Sequence, residues 1–160
     1  MMGLLLVLIQ GKGKQSSRSH IKTTHITQHI ICCHSTSDDE LIADIIRFCK
    51  KENELISVCR TSQIFQNFLN CFGDQICSNV IIAGYDSTKS GQIFHLSYGG
   101  SIAPELFIAS GGAKKYICSK WESGMTSEEV KTIINTATFG RVQNFILIGK
   151  DGTRDEPLLN

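Results

Sequence analysis

Apolar residues along this chain fall into short runs that change spacing several times. A continuous apolar stretch from Gly3 to Ile9 has the length of a buried strand, and a second strand is expected from Ile26 to Cys33. Ser37 followed by Glu40 makes a capping box, in which the hydroxyl and the carboxylate each answer the other's amide. Leu41, Ile42, Ile45, Ile46 and Cys49 then recur at helical spacing, predicting a helix to about Lys51. Leu55 to Cys59 reads as a short strand. Ile64, Phe65, Phe68, Leu69 and Phe72 predict a second helix, with Gly73 placed to end it.

The second half repeats this grammar. Val80 to Gly84 is almost wholly apolar, as for a strand covered on both faces, and Gln92 to Ser97 follows after the turn residues 86–91. Phe107 to Ala109 reads as a further strand, broken by Ser110-Gly111-Gly112 into a helix reaching about Trp121. Both glycines are expected to serve a close strand-to-helix turn. Thr126 with Glu129 forms another capping box, and Val130, Ile133, Ile134 and Ala137 give its helix an apolar stripe. Phe145 to Gly149, the turn Lys150-Asp151-Gly152-Thr153 and a final strand close the chain. Strands, two helices, strands, two helices, strands is an order satisfied by helix pairs on both faces of stacked antiparallel sheets. The expected fold is therefore α+β, a four-layer αββα sandwich.

Composition bounds this picture without changing it. One domain of 160 residues, 41% hydrophobic and 19% charged, is ordinary for a globular protein. A net charge of +1 argues for neither nucleic acid nor an acidic membrane surface, and neither is expected as a partner. Seven cysteines without a CxxC pair, with Cys49 and Cys118 inside apolar periodic runs, suit buried reduced thiols. Residues 3–9 lack a basic segment before them and a small-residue cleavage site after them. A strand is preferred there to a secretory signal, and the run is too short to cross a bilayer.

Several segments resemble a known family. Ile81-Ile82-Ala83-Gly84-Tyr85-Asp86, Gly91-Gln92-Ile93-Phe94 and Tyr98-Gly99-Gly100 resemble a hallmark stretch of proteasome β subunits. Phe107 to Gly112 with Tyr116-Ile117, Gly124-Met125-Thr126 with Glu128-Glu129, and Gly149 to Gly152 with Leu158-Leu159 are similar to later family segments, in the same order. Lys22 through Cys32-Cys33 resembles the early segment of the caspase-like branch. The likeness runs from about residue 20 to the end, with residues 1–19 divergent, and the whole chain 1–160 forms one such domain. It implies the N-terminal nucleophile hydrolase sandwich and assembly with other α and β subunits in stacked heptameric rings. It further implies a part in the proteolysis of protein substrates, ubiquitinated ones included, in the cytoplasm and nucleus, with no cofactor.

The same resemblance implies a chemistry. An N-terminal threonine attacks the peptide carbonyl, its own amine handles the proton, and a lysine held by an aspartate stabilises the alkoxide. Lys22 falls at the lysine position. Where the aspartate belongs the chain reads Leu, Val, Ile and Gln10, and the first aspartate is Asp38. The resemblance places the nucleophile upstream of Met1, and Thr23-Thr24 is no substitute, because a chain starting there would discard Lys22. Thr36 stands at the oxyanion-hole glycine, His34 at the basic residue of the substrate pocket, and Gly112 at the serine supporting the nucleophile. The expectation is a structural subunit lacking part of its first hairpin, less stable than intact relatives and without activity. An active threonine endopeptidase with a longer N-terminus, a secreted chain and a decayed copy are the rival readings. His20, His25, His29 and His34 invite a metal, but residues four apart on a strand lie about 13 Å from each other, so no metal is expected.

Overall fold

The periodic runs become eight strands and four helices among the described residues. The computed structural model describes residues 4–6, 21–34, 39–52, 55–72, 80–97, 101–109, 112–140 and 144–157. In chain order these are β1 (Leu4–Leu6), β2 (Lys22–His25), β3 (Ile30–His34), α1 (Asp39–Glu52), α2 (Val58–Phe72), β4 (Val80–Asp86), β5 (Ser90–Leu96), β6 (Ile102–Glu105), α3 (Lys114–Lys120), α4 (Ser127–Ala137), β7 (Asn144–Gly149) and β8 (Gly152–Pro157). One sheet runs β2-β3-β4-β5-β6 and the other β1-β7-β8. Every pairing is antiparallel.

Side-chain alternation assigns the layers. On β3, Ile30 and Cys32 face one way and join Ile82 and Leu96 of the sheet with Ile45, Cys49, Phe65 and Leu69 of α1 and α2. Ile31 and Cys33 face the other way and meet Ala83, Ile93 and Ile148 of β7 between the sheets. The run Ile30 to Cys33 is apolar throughout because both its faces are covered. On the far side, Phe145 of β7 packs against Ile117 of α3 and Ile134 of α4. The layers are thus α1/α2, five strands, three strands, α3/α4, the expected αββα sandwich.

Four local expectations are corrected. The strand expected over 26–33 begins only at Ile30, as β3; residues 26–29 are the bend that joins it to β2, in which the amides of Ile26 and Thr27 donate to the Ile30 carbonyl. Leu55 to Cys59 is not a strand: Leu55 lies in a turn and Val58 already starts α2. Phe107 to Ala109 pairs with no strand, and β6 precedes it. Phe107 stacks instead on Trp121, ring centroids 4.7 Å apart. Gly112 is exposed, and a Cβ there would meet nothing within 4 Å, so no close turn calls for glycine at that position.

Other expectations hold at residue level. Residues 4–6 do form a strand, with Leu5 opposite Leu147. The Thr126 hydroxyl accepts from the Glu129 amide at 3.4 Å while the Glu129 carboxylate accepts from the Thr126 amide at 2.7 Å, a complete capping box. Ser37, Gly73 and Gly111 lie outside the described residues. The six described cysteines are free. Cys32, Cys33 and Cys49 are buried, and burial pushes the Cys33 thiol up to about 12 and Cys49 up to about 11. Cys118, expected inside, is exposed on α3, as is Cys71 on α2.

Candidate functional site

Antiparallel pairing of β2 with β3 sets Lys22 directly opposite His34. The bend at 26–29 fixes that register, so the two residues, twelve apart in sequence, become cross-strand neighbours. A third group joins them from α1. Asp39 stands in the first turn of that helix, where the helix dipole favours a carboxylate. The Lys22 Nζ donates to Asp39 Oδ2 in an ion pair whose side chains are 47% and 57% exposed. The hydrogen bond from Lys22 holds the Asp39 carboxyl below the usual carboxylate range, with the His34 side pulling the same way.

His34 is buried, only 3% exposed, and its Nδ1 has no hydrogen-bond partner among the described residues. Burial disfavours the imidazolium, and the Lys22 ammonium adds to that against the opposing pull of Asp39, so the pKa is lowered. The site is therefore a neutral imidazole beneath a solvent-facing ammonium–carboxylate pair. An ammonium so engaged has its charge largely compensated before any substrate arrives.

The sign of the His34 shift carries a pH prediction. Between the lowered folded pKa and about 6.5 the unfolded chain binds the extra proton and the folded chain does not. Stability should fall as pH drops below about 6.5, levelling off below the folded pKa. Urea melts of wild type and His34→Gln between pH 7.5 and 5 check this. Parallel losses in both proteins would refute the assignment.

Gly112 precedes α3, in the helical layer over the three-stranded sheet, whereas Lys22 and His34 lie at the β2 edge of the five-stranded sheet. Thr36 lies outside the described residues. Among the described residues no group of three or more His, Cys, Asp or Glu could hold a metal ion, and no helix is long and apolar enough to cross a membrane.

Sequence reasoning did not foresee Asp39 as the partner of Lys22. Its only local signal was an acidic residue at a helix start, between the capping-box residues Ser37 and Glu40. Nor did it foresee how the hallmark Ala83-Gly84-Tyr85-Asp86 is used. Asp86 Oδ1 accepts from the amides of Thr88 and Lys89, both at 2.9 Å, and Oδ2 accepts from the Val58 amide at 3.1 Å and Gln92 Nε2 at 2.7 Å. One carboxylate thus closes the β4–β5 turn and ties down the start of α2.

The chain is similar to known proteins over most of its length. The family described as "Proteasome subunit" matches residues 9–140. Proteasome subunit beta type-6 of Dictyostelium discoideum is 30% identical, over 82% of this chain and 71% of the relative. Proteasome subunit beta type-1 of Saccharomyces cerevisiae is 26% identical, over 71% of this chain and 57% of the relative. A probable proteasome subunit beta type-1 of Schizosaccharomyces pombe is 22% identical, over 82% of this chain and 67% of that protein. The chain thus spans little more than half of the Saccharomyces relative it matches.

Proposed function

This chain belongs to the proteasome subunit family, as a β-type subunit of the core particle, and from that premise we propose that it serves there as a structural subunit without peptidase activity. The observation that carries the proposal is the pairing of Lys22 with Asp39. In the mechanism the family uses, the lysine's charge offsets a developing alkoxide, and an aspartate held beside it keeps it aimed there. Here the ammonium is half exposed and directed to a carboxylate on α1, and no aspartate occurs in residues 1–37 to take the family's place. Geometry of that kind stabilises a helix start, not a tetrahedral intermediate.

Assembly with other α and β subunits in stacked rings is part of the reading. Its support is the outer face of α1 and α2, where Phe48 and Phe72 are 45% and 41% exposed. Phe68 bridges them, 5.6 Å from Phe48 edge-to-face and 6.4 Å from Phe72 in a stack. A row of three rings at a helix surface fits burial against a neighbouring subunit. The domain would act as one unit over residues 1–160, on protein substrates shared by the whole particle, in the cytoplasm and nucleus.

The competing reading is an active threonine endopeptidase, since the relatives extend beyond the part this chain matches. A threonine-directed active-site probe separates the two. Core particles carrying this chain should leave it unlabelled while their active subunits react, and Lys22→Ala should assemble to the same extent as wild type. Labelling of this polypeptide would end the structural reading. Peptides spanning Trp121 to Lys131, detected by mass spectrometry in purified particles, would establish assembly itself, and their absence from particles would end the whole proposal.

A further inference from the structure

Helix α4 ends in a Schellman motif. The Gly140 amide donates to the Asn135 carbonyl at 2.9 Å, and the Phe139 amide donates to the Thr136 carbonyl at 3.3 Å. This closure needs a left-handed residue just after the cap Thr138, and that residue is Phe139, with φ of 54°. Glycine is the usual occupant, because a side chain there crowds the following carbonyl. Glycine is in fact next door, as Gly140 with φ of 70°.

The phenyl ring does nothing visible for the fold. It is 85% exposed, and it belongs to none of the buried clusters. Among the described residues the other non-glycine residue with positive φ is Ser90, where β5 leaves the tight β4–β5 turn, and its side chain is small and polar. At 139 the chain therefore keeps a bulky apolar side chain in a backbone conformation that disfavours it, in water. Neither backbone geometry nor packing accounts for the ring.

We propose that Phe139 is an anchor that inserts into an apolar pocket on a neighbouring subunit of the core particle. The inference rests on the assembly reading above and adds the residue and the chemistry of the contact. The commitment to a fellow subunit comes from the family to which the chain belongs, and the commitment to an apolar pocket from the ring itself. An aromatic side chain held by a rigid hydrogen-bonded turn loses little freedom on docking, which is the profile of an interface hot spot. Local strain retained at a surface is a mark of use.

The test is Phe139→Gly and Phe139→Asn, both of which tolerate the left-handed region. Each should melt at or above the wild-type temperature, by up to about 4 °C, since the backbone is relieved and no packing is lost. Each should enter core particles about tenfold less efficiently than wild type in a competition with tagged wild-type chain. Equal incorporation of variant and wild type would overturn the anchor while leaving the assembly reading intact. Failure of wild type itself to incorporate would overturn both. A drop in melting temperature of several degrees would show that the ring serves the fold, and would equally sink the proposal.

Discussion

Gly84→Ala is expected to destabilise the protein by about 3 kcal/mol, the upper range for overpacking a close-packed core. A Cβ at this position would stand 2.7 Å from the His29 carbonyl oxygen, 2.9 Å from Ile30 Cγ1 and 2.9 Å from Val58 Cγ2. The first of these is backbone, held in place because that same carbonyl accepts from the Tyr85 amide at 2.9 Å. The other two belong to buried side chains on β3 and at the start of α2. Relief must therefore push apart a strand, a bend and a helix together. Equilibrium urea unfolding followed by far-ultraviolet circular dichroism measures the effect. An unfolding midpoint unchanged from wild type would mean that α2 does not sit this closely on β4. Val58→Ala in the Gly84→Ala background removes one of the three overlaps, so the two losses should be less than additive by about 1 kcal/mol.

Asp86→Ala is expected to cost about the same, roughly 3 kcal/mol, for a different reason. Four donors converge on this carboxylate. Truncation leaves the Val58 amide at the foot of a buried helix start and the Thr88 and Lys89 amides of the turn without their acceptor. Hydrogen bonds to a charged acceptor are worth about 1.5–3 kcal/mol each before non-additivity. Asp86→Asn should recover little, since whichever way its amide turns, the NH₂ group faces two donors. Burial by itself would raise the Asp86 pKa, but the hydrogen bonds from Lys89, Val58, Gln92 and Thr88 outweigh it and the net shift is downward. A depressed folded pKa means that the contribution is complete above the unfolded value of about 3.9 and is lost as pH falls through the folded one. The stability gap between wild type and Asp86→Asn should hold from pH 7 to about 4 and close below it. A gap that widens under acid would contradict the sign.

Gly84 and Asp86 also explain why one part of the fold was misread. Leu55 to Cys59 carries Ile56 and Val58, residues that favour strands, so local pattern predicts a strand there. Val58 instead begins a helix because two acceptors meet its first turn: the Ser57 hydroxyl accepts from the Arg60 amide at 3.1 Å, and Asp86, 28 residues further on, accepts from the Val58 amide. A helix start leaves several amides to satisfy, and only one of the two acceptors here is nearby in sequence. Phe107 to Ala109 was misread for the complementary reason. Phe107 and Ile108 are strand formers, but the strand that pairs with β5 is Ile102–Glu105, whose Pro104 is tolerated at a sheet edge. Phe107 and Ala109 pack against α3 and α4 instead.

The candidate site divides in the same way. The positions of Lys22, His34 and Gly112 followed from collinear resemblance to a family, and the structure sets the first two side by side across β2 and β3. That Lys22 would turn to Asp39, and that His34 would be enclosed with a bare Nδ1, was not legible. Both depend on a contact between α1 and the β2–β3 hairpin, which residue type alone does not specify.

Apolar period and capping chemistry were enough to establish the αββα layering, the α1 and α4 helices and the β4–β5 and β7–β8 hairpins, while collinear motifs pointed to the family. Those features rest on neighbours within a few residues, whose burial and hydrogen bonds local spacing dictates. The acceptor for the Val58 amide, the edge strand β6, the partner of Lys22 and the exposed ring of Phe139 were decided only in three dimensions. Each is settled by a group brought in from a distant segment, or by the lack of one, and sequence order carries no record of that distance.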